Sequence, residues 1–487
     1  MDPVIALLLL LFLAAAVFLL RSKVERVFGV FFVIRSTYGI RLIESVSKFR
    51  PDLWEFLADF SLLISFGGLG GYYLLLNRQS KGNFHTSLLL TGLIFSALAA
   101  FLGWFDISAA FFLMSFALYF VLPKMGNIVV DLTAAVFMIF LGCRMFFDTP
   151  LSALAALFGL PALMVYFMFS HGMNILSAKT TLPGVSPMLP DARDGAVGVS
   201  FPGYDIFIPW WFALIALFVT LAAHEGAHGV LTRVANVRLK STGLLSFLSL
   251  PIGAFVEPDE EELSKKSSVD RMRVFTMGSF ANLVVGVAAM VMIFASTSAL
   301  TGITYSTGMR VVGFMEGYPA EGVVPLNTVV YSVNGHKTSN FLMYRNVTNS
   351  MKPGADVILN TSTGVYSMKL KANDEVPEKG FVGVYLSEDI KFRGAADAIL
   401  SVSLVSFLIE LLGWIAFFNI NISLVNLLPV IPFDGGRMFK EFISTLQMSQ
   451  ENVQRMVYAI VGFIAVLFII NMIPLLNMVL NLIFTLL

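Results

Sequence analysis

The sequence predicts a polytopic α-helical membrane protein of about ten or eleven spans, with one small β-rich domain inserted past its middle. Three observations carry this prediction. The 487-residue chain is 57% apolar and only 13% charged, with a mean hydropathy of +0.81, whereas a soluble domain is roughly a quarter charged. Apolar runs of bilayer-spanning length recur along most of the chain. Only residues 302–393 read as a water-soluble fold, with short β-type runs divided by turn residues.

Taken in order, residues 3–20 form the first expected span. Asp2 stands where a signal peptide would carry a basic start, and basic residues follow the run rather than precede it. Further runs fall at 56–77, 86–104, 107–122, 127–147 and 150–170. Residues 1–170 thus make an N-terminal set of transmembrane helices. A polar stretch rich in Pro and Gly occupies 171–205, read as an extracytoplasmic loop. Runs at 208–231 and 274–300 define a membrane core over 206–301. Runs at 397–418 and 454–472 define its second part over 394–487, and the apolar tail after Pro474 reads as a further span or half-span.

Basic residues set the orientation. They crowd 21–54 and 232–273, and Arg437 and Lys440 follow Asp434. These stretches are expected in the cytoplasm, which puts 171–205 and 302–393 outside. Arg78, Lys81 and Lys124, set against Arg144, oppose this count between 55 and 170, where the topology rests on counting alone. Lys and Arg total 32, as do Asp and Glu, so no basic field suggests nucleic acid. A lone cysteine, Cys143, excludes an intrachain disulfide and a cysteine-based zinc site.

Within 302–393 the runs MRVVGF, TVVYSV, DVILN and YSMKL are punctuated by Asn334-Gly335 and Pro353-Gly354. The stretch EGYPAEG…NTVVYSVNGHKT resembles a PDZ domain of the bacterial-protease type. That likeness implies capture of peptide or substrate ends along a sheet edge.

The chemistry concentrates at LAAHEGAHGV, residues 221–230, which closes the apolar run begun at Ile206. Ionisable groups in a membrane interior are costly, so three of them within five residues call for a partner or a role. Four residues on a helix advance about 400°, which leaves His224 and His228 about 40° apart on one face. That spacing suits two ligands of one Zn²⁺, and Glu225 beside them reaches water at the metal from the side. Catalytic zinc usually takes three protein ligands. His85 and His171 fall in or near predicted loops, and His336 in the β-rich domain. Asp434 follows an apolar span and two helix-disfavouring prolines, Pro429 and Pro432, and precedes Gly435 and Gly436. An aspartate there equally suits a turn past a helix end; the histidine pair favours it as the third ligand.

HEGAH followed by NLLPVIPFDGG is similar to the site-2 protease family of intramembrane zinc metalloproteases. The likeness covers roughly 205–487, with Phe433 where the family has leucine. It implies one Zn²⁺ per chain held by His224, His228 and Asp434, with Glu225 as general base. The stretch GSFAN, 278–282, resembles the family's intervening helix motif, which implies that Asn282 lines the substrate channel. Asn426 matches an asparagine that binds substrate or its oxyanion, a task an amide donor can perform. Either asparagine equally serves interhelical packing. The glycine- and proline-broken stretch 241–257 resembles a membrane-inserted β-hairpin or loop. The charged run 258–267 reads as a solvated cytoplasmic loop.

The function implied is hydrolysis of peptide bonds within or near the spans of single-span membrane proteins, releasing a regulatory factor to the cytoplasm. The lipid bilayer is the working environment, and the likeness to bacterial-type members points to a prokaryotic inner membrane. The alternative is an ion or metal transporter that uses the same polar residues. No internal repeat supports it.

Overall fold

The computed structural model of the protein describes residues 24–27, 31–193, 195–247, 250–373, 376–393, 402–445 and 448–486. The expected first span, 3–20, lies outside them. Strands β1 (Val24–Val27) and β2 (Phe31–Ser36) pair antiparallel and lead into helix α1 (Tyr38–Lys48). Five apolar helices follow: α2 (Pro51–Leu76), α3 (Arg78–Phe101), α4 (Phe105–Met125), α5 (Ile128–Cys143) and α6 (Thr149–Leu176). The stretch expected to be loop carries a small three-stranded sheet of β3 (Leu189–Arg193), β4 (Ala196–Ser200) and β5 (Phe207–Pro209).

Helix α7 (Trp210–Val234) starts directly after Pro209. It stops where Asn236 takes a left-handed φ of 55°, a conformation asparagine tolerates at a helix end. A hairpin of β6 (Leu239–Phe247) and β7 (Leu250–Pro258) comes next, then the short α8 (Glu260–Ser264) and the long α9 (Ser268–Ile303). The Asp259 side chain caps α8 by accepting from the Glu261 and Glu262 N–H groups. The basic segment after the first expected span is therefore not plain loop. Its β2 pairs along β6, Phe32 opposite Ser246, giving a sheet of order β1-β2-β6-β7 with β7 at an edge.

A second compact unit, Met290–Gly413, holds the β-rich fold. Strands β8 (Thr304–Phe314), β9 (Val329–Val333), β10 (His336–Lys337), β11 (Asp356–Thr361), β12 (Gly364–Lys369), β13 (Lys371–Ala372), β14 (Gly380–Phe381) and β15 (Val384–Phe392) flank one helix, α10 (Phe341–Thr348). The main sheet runs β12-β11-β9-β8-β15 with β10 paired to β9. Asn334 and Gly335 turn β9 into β10 with φ of 48° and 79°, the geometry for which that pair is favoured. Met309, Val311, Val333 and Val357 are fully buried in its core.

The chain returns through α11 (Val402–Asn426), α12 (Asp434–Ser444) and α13 (Gln450–Leu486). Eight helices among the described residues are long and apolar enough to cross a membrane: α2, α3, α4, α6, α7, α9, α11 and α13. The expected ten or eleven spans exceed this. The first lies outside the described residues, the run at 127–147 yields a helix of 16 residues, and the described residues after Pro474 form no separate span. Helix α13 instead runs through that proline. One missing N–H does not force a turn when neighbours pack both halves, and Ile464, Leu467 and Leu475 on either side are buried.

Candidate active site

Helix α7 presents His224 and His228 one turn apart on one face, with ring centroids 4.7 Å apart. Asp434 is the first residue of α12, and Phe433 is its N-cap. The segment between α11 and α12 holds Pro429 and Pro432 and is not helical. Its backbone packs on Gly435 and Gly436; a Cβ at 435 would come within 2.2 Å of the Leu427 carbonyl oxygen. Those glycines let the helix start close enough to aim Asp434 at α7.

The three side chains meet. Asp434 Oδ2 lies 3.0 Å from His228 Nε2 and 3.2 Å from His224 Nε2, and the two Nε2 atoms are 3.1 Å apart. Tetrahedral ligands at zinc–nitrogen and zinc–oxygen distances near 2.1 Å stand about 3.4 Å from one another. Two imidazoles and a carboxylate on such a triangle fit one divalent ion, and three protein donors are the number usual for catalytic zinc. Among the described residues this is the group of histidine, aspartate and glutamate side chains arranged to hold a metal. The other histidines considered lie elsewhere: His85 Nε2 is 3.4 Å from Asp131, His171 Nε2 is 3.1 Å from the Leu182 carbonyl, and His336 is on β10.

Both rings are held from behind by α9. His228 Nδ1 donates to the Val274 carbonyl at 2.7 Å. That bond leaves Nε2 available to ligate a metal. His224 Nδ1 lies 3.2 Å from the Asn282 amide, which is fully buried. The atom facing His224 is Asn282 Nδ2, and Asn282 Oδ1 has no hydrogen-bond partner among the described residues; a half-turn of the amide turns Oδ1 toward His224, where it can accept an Nδ1–H. Gly278 makes room for this packing, since a Cβ there would sit 2.2 Å from His228 Nε2.

Glu225 faces a cavity of about 330 Å³ beside this triangle of candidate ligands, lined also by Val256, Phe275, Ile422, Asn426 and Arg437. Its Oε2 accepts the Val256 N–H from β7 at 2.9 Å. The hairpin thus fixes one oxygen of the Glu225 carboxylate. Asn426, at the end of α11, lines this cavity; Asn282 sits behind His224 instead. Sequence reasoning did not find Val274, because a backbone carbonyl leaves no residue-type signal. The packing role of Gly278 was open to it, since the residue heads the GSFAN stretch.

Comparisons with known proteins bear on this site. A family model described as Peptidase family M50 matches residues 212–470, which include all three metal-ligand candidates and Glu225. An uncharacterized protein of Methanocaldococcus jannaschii is 26% identical over 279 residues, covering 56% of this chain and 67% of the relative. A solved structure, the PDZ domain of the SdrC-like protein from Listeria monocytogenes, matches 16% of this chain and 87% of that domain. Its identity is 20% and its TM-score 0.15, too low to support the PDZ assignment. The transporter alternative finds no support in the family match.

Proposed function

The chain belongs to peptidase family M50 and is a membrane metalloprotease, and on that footing we propose that it is a zinc-dependent endopeptidase that cuts within or beside transmembrane segments. The observation that carries this reading is the metal-ligand triangle of His224, His228 and Asp434 with Glu225 at its side. All four line one cavity among helices apolar enough to span a membrane.

His224, His228 and Asp434 would hold one Zn²⁺ per chain, which would supply Lewis acidity toward water and the scissile carbonyl. The protein supplies the rest. Val274 and Asn282 fix the ring faces of the two histidines. Glu225, anchored through Oε2, takes a proton from water at Oε1 and delivers it to the leaving amine. Asn426 donates its amide to the oxygen on which negative charge develops. A helical substrate hides its carbonyls in hydrogen bonds, so it must unwind locally. Small or helix-breaking residues near the cut lower that cost.

We assign the protein to the cell membrane of a prokaryote, with single-span proteins as substrates and release of a regulatory factor to the cytoplasm. The orientation follows from the basic residues at 232–273. With Cys143→Ser as background, a cysteine at exposed Lys265 should react with an impermeant reagent only from the cytoplasmic side, and one at exposed Lys337 only from outside. The reverse labelling would overturn the orientation.

The β-rich unit is read as a PDZ-like filter that binds substrate ends or holds back bulky outer domains. Replacing residues 302–393 with a short Gly/Ser linker should leave peptide cleavage intact and broaden the range of substrates cut. A protein so shortened that stays folded and zinc-loaded but cuts nothing would end the filter idea.

A further inference from the structure

Helix α2 precedes the family-matched segment, yet it carries a buried charge bonded to the helix that orients the metal ligands. Asp59 is fully buried. Its Oδ1 accepts Arg273 Nε at 2.8 Å, and its Oδ2 accepts Arg273 Nη2 at 2.8 Å and Asn83 Nδ2 at 2.7 Å. Arg273 Nη1 reaches Glu55, also on α2, at 2.7 Å. A two-pronged guanidinium–carboxylate pair fixes the direction of both side chains as well as their distance. Such a buried pair is a poor source of stability, because a well-packed apolar pair is often as good or better. What this pair adds is a fixed position for α9.

The residues of α9 divide by face. Arg273, Thr276 and Phe280, at helical spacings of three and four, meet α2. Thr276 Oγ1 lies 2.9 Å from Ser61 Oγ, and the Phe280 ring stands edge-on to Phe60 at 5.8 Å. Val274, Gly278 and Asn282, each four residues on, meet His228 and His224. A rotation or slide of α9 on α2 therefore moves the second stripe against the histidines. The later part of α2 braces the third ligand's helix in the same way. Tyr73 Oη lies 2.9 Å from Ser268 Oγ, which donates to Glu441 on α12 at 2.8 Å, and the Phe66 and Tyr73 rings both pack on Phe442.

We propose that α2 is an integral part of the metal centre, with Asp59 a positioning residue that acts through Arg273 to hold the Val274 carbonyl against His228. This rests on the zinc-protease reading above. It assigns a task to a helix that the sequence left without one.

The test uses the full chain in detergent or lipid and three variants: Asp59→Asn, Tyr73→Phe, and the apolar pair Asp59→Leu with Arg273→Met. Zinc affinity is measured by competition with a chromogenic chelator. The visible spectrum of the Co²⁺-substituted protein is recorded as a report of ligand geometry. Cleavage is assayed at saturating zinc. Loss of an orienting partner of a metal-bound histidine typically weakens metal binding about 10- to 100-fold. That loss is expected for Asp59→Asn, with an altered cobalt spectrum and a fall in kcat at little-changed KM; a smaller loss is expected for Tyr73→Phe. The apolar pair leaves no unpaired buried charge, so it guards against misfolding of Asp59→Asn. It should fold and still show weakened zinc binding and the altered spectrum. A folded apolar pair with the parent's zinc affinity and cobalt spectrum would reduce the bridge to a structural filler and overturn the proposal. If the parent itself binds no zinc or cobalt, the zinc-protease reading fails, and this inference with it.

Discussion

Glu225→Gln is expected to bind zinc like the parent and to lose cleavage by about 10²- to 10⁴-fold, the usual contribution of a general base. Glu225 follows His224 by one residue, about 100° round the helix, and it lines the cavity beside the metal-ligand triangle. Glutamine keeps the length of the side chain and can still accept the Val256 N–H through its carbonyl oxygen, so the hairpin contact survives. It cannot take up a proton at neutral pH. The variant should therefore hold uncut substrate, which makes it a tool for finding the natural one. Loss of zinc in Glu225→Gln, with normal cleavage by the fraction still loaded, would show Glu225 to be a ligand or a support and defeat the mechanism.

Removing any one metal ligand should have the other large effect. Asp434→Ala deletes the carboxylate that both histidines approach within 3.2 Å, leaving two donors where catalytic zinc ordinarily needs three. His224→Ala and His228→Ala do the same from α7. Each variant is expected to retain less than a tenth of the parent's zinc after dialysis against a mild chelator, and to lose cleavage with it. Elemental analysis of the dialysed proteins checks this. Full occupancy in Asp434→Ala would remove Asp434 from the ligand set.

How far the site could be read in advance follows from what kind of signal each part leaves. His224, Glu225 and His228 stand out because their spacing is local and they sit in an apolar run where ionisable groups are costly. Asp434 stands 206 residues beyond His228, but two prolines and two glycines around it mark broken backbone. The Asp59–Arg273 bridge, 214 residues apart, left no such mark. A single charge in an apolar helix does not name its partner, and no periodicity ties α2 to α9. The same limit hid the sheet of β2 on β6. VERV and FFVIRS are too short and too close to basic residues to stand out as strands, and their partner strand lies some two hundred residues on. The β-rich unit left a plainer trace, because paired turn residues such as Asn334-Gly335 divide runs of β-formers. Asn282 shows how a resemblance can identify a residue and leave its contacts open: the residue was singled out as lining a substrate channel, and the structure sets it against His224 Nδ1.

The proposed zinc-dependent cutting inside or beside membrane spans can be tested directly. The most direct measurement reconstitutes the purified full chain with a panel of single-span substrates and locates every cut by mass spectrometry, in untreated, chelator-treated and zinc-restored samples. On that proposal the cuts fall within or at the edge of the spans, are abolished by the chelator and return when zinc is restored to one ion per chain. Cleavage that persists without metal, or that falls only in soluble segments far from any span, would contradict it.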